Sequence, residues 1–288
     1  MSRRTLLFWI LALAVSGFAA LRSGLFAPAT PGLPPAAAPA AAASAPEPAA
    51  PSDPKAPTLR VLFIGNSLTY AGDLPAMVQG LARTAGVNLV YEQHTPGGAR
   101  LLNHAADPQV RALLAAGGWD AVVLQEQSEW PAFTDEQVRS GIEPYADTLA
   151  AAARAASPSV RILLYETPAR RNGDSANLAV SPDMATYEGM QLRIDRTYER
   201  LAALVQGTVV PAGVAWSIAR REHPEIDLYA DPVHPGRVGA YLIACVFQAT
   251  LLKRSPVGSS YTAGLDPAVA ATLQAIAWRA ASEEAAGP

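Results

Sequence analysis

The chain has 288 residues, half of them hydrophobic and 16% charged, with a formal net charge of −3 and a single cysteine. That apolar content excludes disorder over the whole length, and the charge offers no basic field for a phosphate backbone, so no nucleic-acid partner is expected. One cysteine, Cys245, excludes a disulfide framework and a cysteine-based zinc site.

Met1-Ser2-Arg3-Arg4 supplies two positive charges, and the 17 residues from Thr5 to Leu21 are uncharged. That order is the order of an export signal, with small residues at Ser16-Gly17-Phe18-Ala19-Ala20 for a peptidase to cut. The run is also at the lower limit for a spanning helix. Residues 1–26 are therefore expected to be a signal peptide or an N-terminal membrane anchor, and the protein to be exported, periplasmic or at the cell surface. Any membrane contact is expected through that anchor alone. From Ala27 to Pro57, 10 of 31 residues are Pro and 13 are Ala. Such a stretch has little to bury and loses a backbone donor at each Pro, so residues 27–57 read as a disordered, extended tether. Residues 58–288 carry 18 basic and 23 acidic side chains and read as one mildly acidic domain.

Within that domain Leu59–Ile64 is a short apolar run closed by Gly65, the pattern of a buried parallel strand. A helix is expected from about Asp73, an N-cap with Pro75 in the first turn, to just before Gly86. Val87–Tyr91 reads as a second strand and Asp120–Leu124 as a third. A long helix from about Thr134 to Ala156 leads to a fourth strand at Val160–Tyr165. Another helix, roughly Asp183 to Val205, precedes a short apolar run at Thr208–Val210. The last two helices are expected near Arg237–Leu252 and Pro267–Ser282. Strands alternating with helices predict a parallel sheet covered on both faces, with ligands bound beyond the carboxyl ends of the strands.

Those ends carry a short set of chemically useful residues. Gly65-Asn66-Ser67-Leu68-Thr69 follows the first strand, Pro96-Gly97-Gly98 the second, and Gln125-Glu126-Gln127-Ser128 the third. Asp231-Pro232-Val233-His234-Pro235-Gly236 precedes the penultimate helix. Nucleophilic catalysis by a serine needs these residue types: a hydroxyl at Ser67, a base at His234, an orienting carboxylate at Asp231, and N–H donors for an oxyanion. The donors expected are the backbone N–H of Ser67, an N–H from the Gly97-Gly98 pair and a glutamine side-chain amide after the third strand. His94 and His104, ten residues apart across the glycine pair, lack a familiar ligand spacing, so no metal and no cofactor is expected. Glu126, Glu129, Glu166 and Arg170 read as solvated loop charges near the pocket, Trp130 as a rim residue covering the core, and Cys245 as a core residue.

Taken together, these blocks resemble the SGNH (GDSL-like) hydrolase superfamily. Gly65-Asn66-Ser67-Leu68-Thr69 resembles its first block, with Asn66 where Asp is more usual; Gly98 matches the glycine of its second, with either member of the Gly97-Gly98 pair able to be the donor. Asp231-Pro232-Val233-His234 resembles its last, Asp-x-x-His, and the blocks stand in order over most of residues 58–252. The third block, usually Gly-x-Asn-Asp, is absent. Leu124-Gln125-Glu126-Gln127-Ser128 stands there instead, similar to a divergent bacterial branch and to the Gln-Gly-Glu of sialate O-acetylesterase-like enzymes; that analogy implies Gln125 as the oxyanion donor in place of the asparagine, with Gln127 second. The resemblance implies a three-layer α/β/α, flavodoxin-like domain with about five parallel strands. It also implies a serine esterase working through an acyl-Ser67 intermediate on a small-molecule or glycan ester, such as O-acyl groups of an extracytoplasmic carbohydrate. The alternatives are an O-acyltransferase with the same triad and a non-catalytic glycan-binding domain of the same fold. An ordinary α/β-hydrolase is excluded, because Ser67 follows the first strand in Gly-x-Ser-x-Thr rather than Gly-x-Ser-x-Gly.

Overall fold

The computed structural model describes residues 53–286. The expected export segment, 1–26, and the Pro/Ala tract as far as residue 52 lie outside the described residues. Five strands, β1 (Thr58–Ile64), β2 (Asn88–His94), β3 (Ala121–Leu124), β4 (Arg161–Tyr165) and β5 (Thr208–Val210), form one sheet in the order β2-β1-β3-β4-β5. Every pairing is parallel, with Ile64 beside both His94 and Leu124. Val61 to Ile64 and Ala121 to Leu124 are wholly buried, which is why both central strands read as unbroken apolar runs.

The helices are α1 (Ser67–Tyr70), α2 (Leu74–Thr84), α3 (Leu101–Ala106), α4 (Pro108–Ala116), α5 (Asp135–Gly141), α6 (Glu143–Ala156), α7 (Tyr187–Val205), α8 (Ala212–Glu222), α9 (Arg237–Leu252) and α10 (Pro267–Ala286). They pack as two sets, α2 with α8, α9 and α10, and α3 to α7 with one another. Right-handed crossovers require this division. The β1–β2 connection runs one way along the sheet and the next three run the other, so they cover opposite faces. The chain is thus a three-layer α/β/α domain of the flavodoxin-like order. The order reverses between β1 and β3, and the crevice at that reversal is where the Ser67 and Gln125 segments emerge.

The expected helix from Thr134 to Ala156 is two helices. Pro144 has no N–H and its ring clashes with the carbonyl four residues back, so the chain breaks at Ile142 (φ −127°, ψ −55°). The helix expected from Asp183 starts at Tyr187, because Pro182–Ala185 makes a 3-10 turn and the Thr186 side chain caps Gly189. Asp73 precedes α2 in a left-handed conformation (φ 61°) and makes no side-chain cap. β2 runs on past Tyr91 to His94, its polar end borne by an edge strand. Helices α3, α4 and α8 were not expected from the periodicity. Among the described residues no helix is long and apolar enough to cross a membrane.

Two side-chain contacts fix how the sheet's working edge is backed. In α9, a Cβ on Gly239 would stand 2.2 Å from the Leu228 carbonyl oxygen and 2.4 Å from the Trp216 ring. In α3, the buried His104 donates from Nε2 to the Gly65 carbonyl (2.9 Å), with its ring edge-on to His94, itself 3.0 Å from Asp107. Burial lowers the His104 pKa to about 4, opposed in part by the Gly65 bond.

Alanine in a helix normally gains about 1 kcal/mol over glycine, whereas overpacking a core costs about 1–3 kcal/mol. Against a carbonyl oxygen and an indole that are both buried, overpacking wins, so Gly239→Ala is expected to lower Tm in calorimetry. For His104 the unfolded chain takes up a proton near pH 6.5 that the native protein refuses until about pH 4. Its contribution to stability is therefore lost as the pH falls through that window, by up to about 1.4 kcal/mol per pH unit. Urea unfolding of His104→Gln, which keeps a donor and cannot titrate, should show a correspondingly shallower acid slope than wild type.

Candidate active site

β1 ends at Ile64, and the chain turns through Gly65 into α1, so Ser67 opens a helix at the carboxyl edge of the sheet. Asn66 shapes that turn. Its Oδ1 accepts from the Leu68 N–H (3.1 Å), a first-turn donor that would otherwise be unpaired. Its Nδ2 donates to the Ala99 carbonyl (2.8 Å), a bond that an aspartate could not make. The asparagine in place of the more usual acid thus ties the serine turn to the glycine loop.

Ser67 is half-buried, and its Oγ is 2.9 Å from His234 Nε2. His234 Nδ1 is 2.8 Å from Asp231 Oδ2. An ionised carboxylate only accepts, so Nδ1 carries the proton and donates, leaving Nε2 to accept from the serine hydroxyl. Asp231 Oδ1 accepts from the N–H groups of Val233 and His234, each at 2.7 Å. Partial burial pushes this carboxyl up, but the backbone donors of His234 and Val233 and the imidazole outweigh it. The Asp231 pKa ends below the usual carboxylate value. The histidine and aspartate side chains are 34% and 48% exposed, so the site is open to solvent.

The turn bearing both residues is held from several sides. Ala230 N–H donates to the His234 carbonyl (2.9 Å) and Gly236 N–H to the Leu228 carbonyl (2.8 Å). From the loop after β4, Arg171 N–H donates to the Pro232 carbonyl (2.9 Å), and its guanidinium pairs with Asp227 while lying 4.7 Å over the Tyr229 ring. The Tyr229 hydroxyl donates in turn to the Ala169 carbonyl (2.7 Å). Arg171 and Tyr229 are supports that the sequence alone did not reveal, since an arginine and a tyrosine in loops carry no pattern.

Of the expected oxyanion donors, two backbone groups stand uncommitted. Ser67 is the first residue of α1, and Gly98, at φ +71°, has open space where a Cβ would be. Neither N–H has an acceptor among the described residues. Gln125 requires a correction. It is wholly buried, its Oε1 accepts from Asn66 N–H (2.8 Å) and Thr69 Oγ (2.9 Å), and its Nε2 donates to Asn66 Oδ1 (3.0 Å) and to the Glu126 carbonyl. With both amide hydrogens committed and no surface, it is not available to a substrate. Gln127 is the carboxamide with surface, and its Nε2 donates to Glu129 (2.6 Å).

Glu126 and Glu166, expected as solvated charges, are buried as well. Glu126 Oε1 accepts from Gln127 N–H (2.8 Å) and stands 3.6 Å from Arg100 Nε, while Oε2 accepts from Leu101 N–H (3.2 Å). Burial raises its pKa to about 7 against those stabilising contacts. Glu166 accepts from Val214 N–H (2.9 Å). Glu129 and Arg170 form an ion pair at the rim, and Arg170 also meets Asp174 (3.0 Å). Trp130 has one face covered by the Arg100 guanidinium, 3.1 Å above it. Cys245 is buried in α9. Among the described residues no cluster of three or more His, Cys, Asp or Glu could hold a metal ion.

No family model matches the chain, and no curated protein matches it. Among solved structures it is similar to a DUF4886 family protein from Bacteroides uniformis, with a TM-score of 0.68 and 19% identity over 77% of this chain and 94% of that one. That likeness concerns the fold. It is also similar to a protein from Slackia heliotrinireducens proposed to be an SGNH hydrolase, with a TM-score of 0.56 and 28% identity. That match covers 67% of this chain and 99% of the other. With the sheet order, the serine turn after β1 and the aspartate–histidine turn before α9 all in place, the chain belongs to the SGNH/GDSL-like hydrolase superfamily.

Proposed function

We propose that this chain, a hydrolase by its superfamily, cleaves carboxylic esters through an acyl-Ser67 intermediate. The observation that carries the reading is the unbroken line Asp231–His234–Ser67, with both hydrogen bonds under 3 Å. In the first half-reaction His234 Nε2 takes the Ser67 proton as Oγ bonds to the ester carbon. The carbonyl oxygen becomes an oxyanion received by the N–H groups of Ser67 and Gly98, with Gln127, the carboxamide after β3 that has surface, able to join them. Collapse breaks the bond to the alkoxy oxygen, and His234 returns the proton to the departing alcohol. Water then repeats the sequence on the acyl-enzyme, yielding the acid and free Ser67. Asp231 keeps Nδ1 protonated and stabilises the imidazolium; its lowered pKa leaves it anionic throughout.

The substrate class belongs to the same proposal. An exposed aspartate and histidine leave room for a bulky alcohol, and the rim side chains Gln127, Glu129 and Arg170 are polar. Both features favour a small acyl group on a hydroxyl-rich partner such as a carbohydrate. The charge-then-apolar pattern of residues 1–26 supports a substrate outside the cytoplasm, met by a secreted or anchored enzyme.

Hydrolysis of p-nitrophenyl acetate by the purified protein is the direct test. Ser67→Ala is expected to lose at least about 10³-fold in kcat, and Asp231→Asn about 10⁴-fold by favouring the wrong tautomer of His234. A fluorophosphonate should label the wild type and not Ser67→Ala. Equal turnover in wild type and Ser67→Ala would overturn the mechanism.

A further inference from the structure

The superfamily's third block is missing here, and the residues standing in its place are buried rather than offered to a substrate. Gln125 and Glu126 follow β3 directly, and both have side chains with no exposed surface. Each is bonded to a different loop of the site. Gln125 holds the serine turn on both sides of Ser67, at the Asn66 N–H and the Thr69 hydroxyl, and it grips the Asn66 side chain as well. The orientation of its amide is dictated, because the Asn66 N–H can only donate and must face Oε1. Its place is shaped closely: a Cβ on Gly65 would fall 2.5 Å from that same Oε1.

Glu126 holds the other loop. Its Oε2 accepts from Leu101 N–H, three residues past Gly98, while Asn66 Nδ2 pins the same loop at the Ala99 carbonyl. Its Oε1 accepts from Gln127 N–H and faces Arg100, whose guanidinium lies on Trp130 and donates to the Gly141 carbonyl (2.8 Å). From α7, the Tyr198 hydroxyl accepts from the Glu126 N–H (3.2 Å). One dipeptide thereby fixes the two loops that carry the Ser67 and Gly98 N–H groups.

We propose that Gln125 and Glu126 are the positioning residues of this site, setting where the Ser67 and Gly98 N–H groups stand, in the place of a block that would supply a side-chain donor. The catalytic part of this inference rests on the esterase reading of Ser67. An N–H displaced by about an ångström from a developing oxyanion loses much of its worth, since complete loss of one such donor costs about 10²–10³ in rate. Because neither side chain reaches the surface, they act on the transition state through the backbone and leave ground-state binding nearly alone.

Two readouts on the full chain test this. In ester turnover, Gln125→Ala and Glu126→Gln are each expected to lower kcat by at least about ten-fold while KM changes by less than about three-fold. A comparably buried amide elsewhere supplies the control for stability. Gln274 bonds Tyr241, the Ser259 carbonyl and the Gly258 N–H, none of them in the Ser67 or Gly98 loops, so Gln274→Ala should lower Tm without lowering kcat. In hydrogen exchange, Gln125→Ala should speed exchange in residues 66–70 and Glu126→Gln in residues 96–103, with the rest of the sheet unchanged. Unchanged kcat with unchanged local exchange would overturn the proposal, as would a loss of kcat no greater than that of Gln274→Ala at equal loss of Tm. If wild type and Ser67→Ala turned over ester alike, the esterase reading would fall, and the exchange pattern would still decide the positioning.

Discussion

The bond between the Gln125 side chain and Asn66 is the constraint around which the site is arranged. It joins the ends of two neighbouring strands at the point where the sheet order reverses, and it is made entirely out of water. A buried amide left unpaired costs about 1–3 kcal/mol, so Gln125 and Asn66 are each expensive without the other. That mutual need explains why a small glycine precedes Asn66 and why Thr69 turns its hydroxyl inward. The serine between them inherits a fixed place without taking part in the bond.

Around that joint Ser67, His234 and Asp231 are unequal in setting. Ser67 rides on a buried turn, whereas His234 and Asp231 stand on an exposed one. The exposed turn gets its order from the carboxylate, which accepts two backbone N–H groups of its own loop, and from Arg171, which reaches across from the loop after β4. Rigidity therefore comes from hydrogen bonding on one side of the site and from burial on the other. Neutral His104 beneath the serine turn extends the buried side to α3.

The sheet and the meeting of Ser67, His234 and Asp231 were both legible in the sequence, for different reasons. Val61 to Ile64 and Ala121 to Leu124 are buried on both faces, so composition alone marks them as strands. Asp231 and His234 are three apart between prolines, a spacing that a tight turn converts directly into contact. What escaped the sequence is whatever depends on partners distant along the chain. Gln125 reads as a polar residue at a strand end, and only its 59-residue separation from Asn66, closed by the fold, turns it from donor into brace. Glu126 misleads likewise, because a charged residue is expected in water and here it has backbone N–H groups and Arg100 instead. The break at Ile142 was readable in principle, since Pro144 forbids a continuous helix, but the alanine-rich stretch around it masks the stop.

The Ser67–His234 bond spans 167 residues of chain. Domains assemble as units, and a contact this far apart along the chain must close a long loop before it contributes. Until residue 234 has been synthesised and packed against the crevice, the serine is an ordinary alcohol with no base beside it. The Ser67–His234 pairing thus doubles as a report that the last third of the domain has folded.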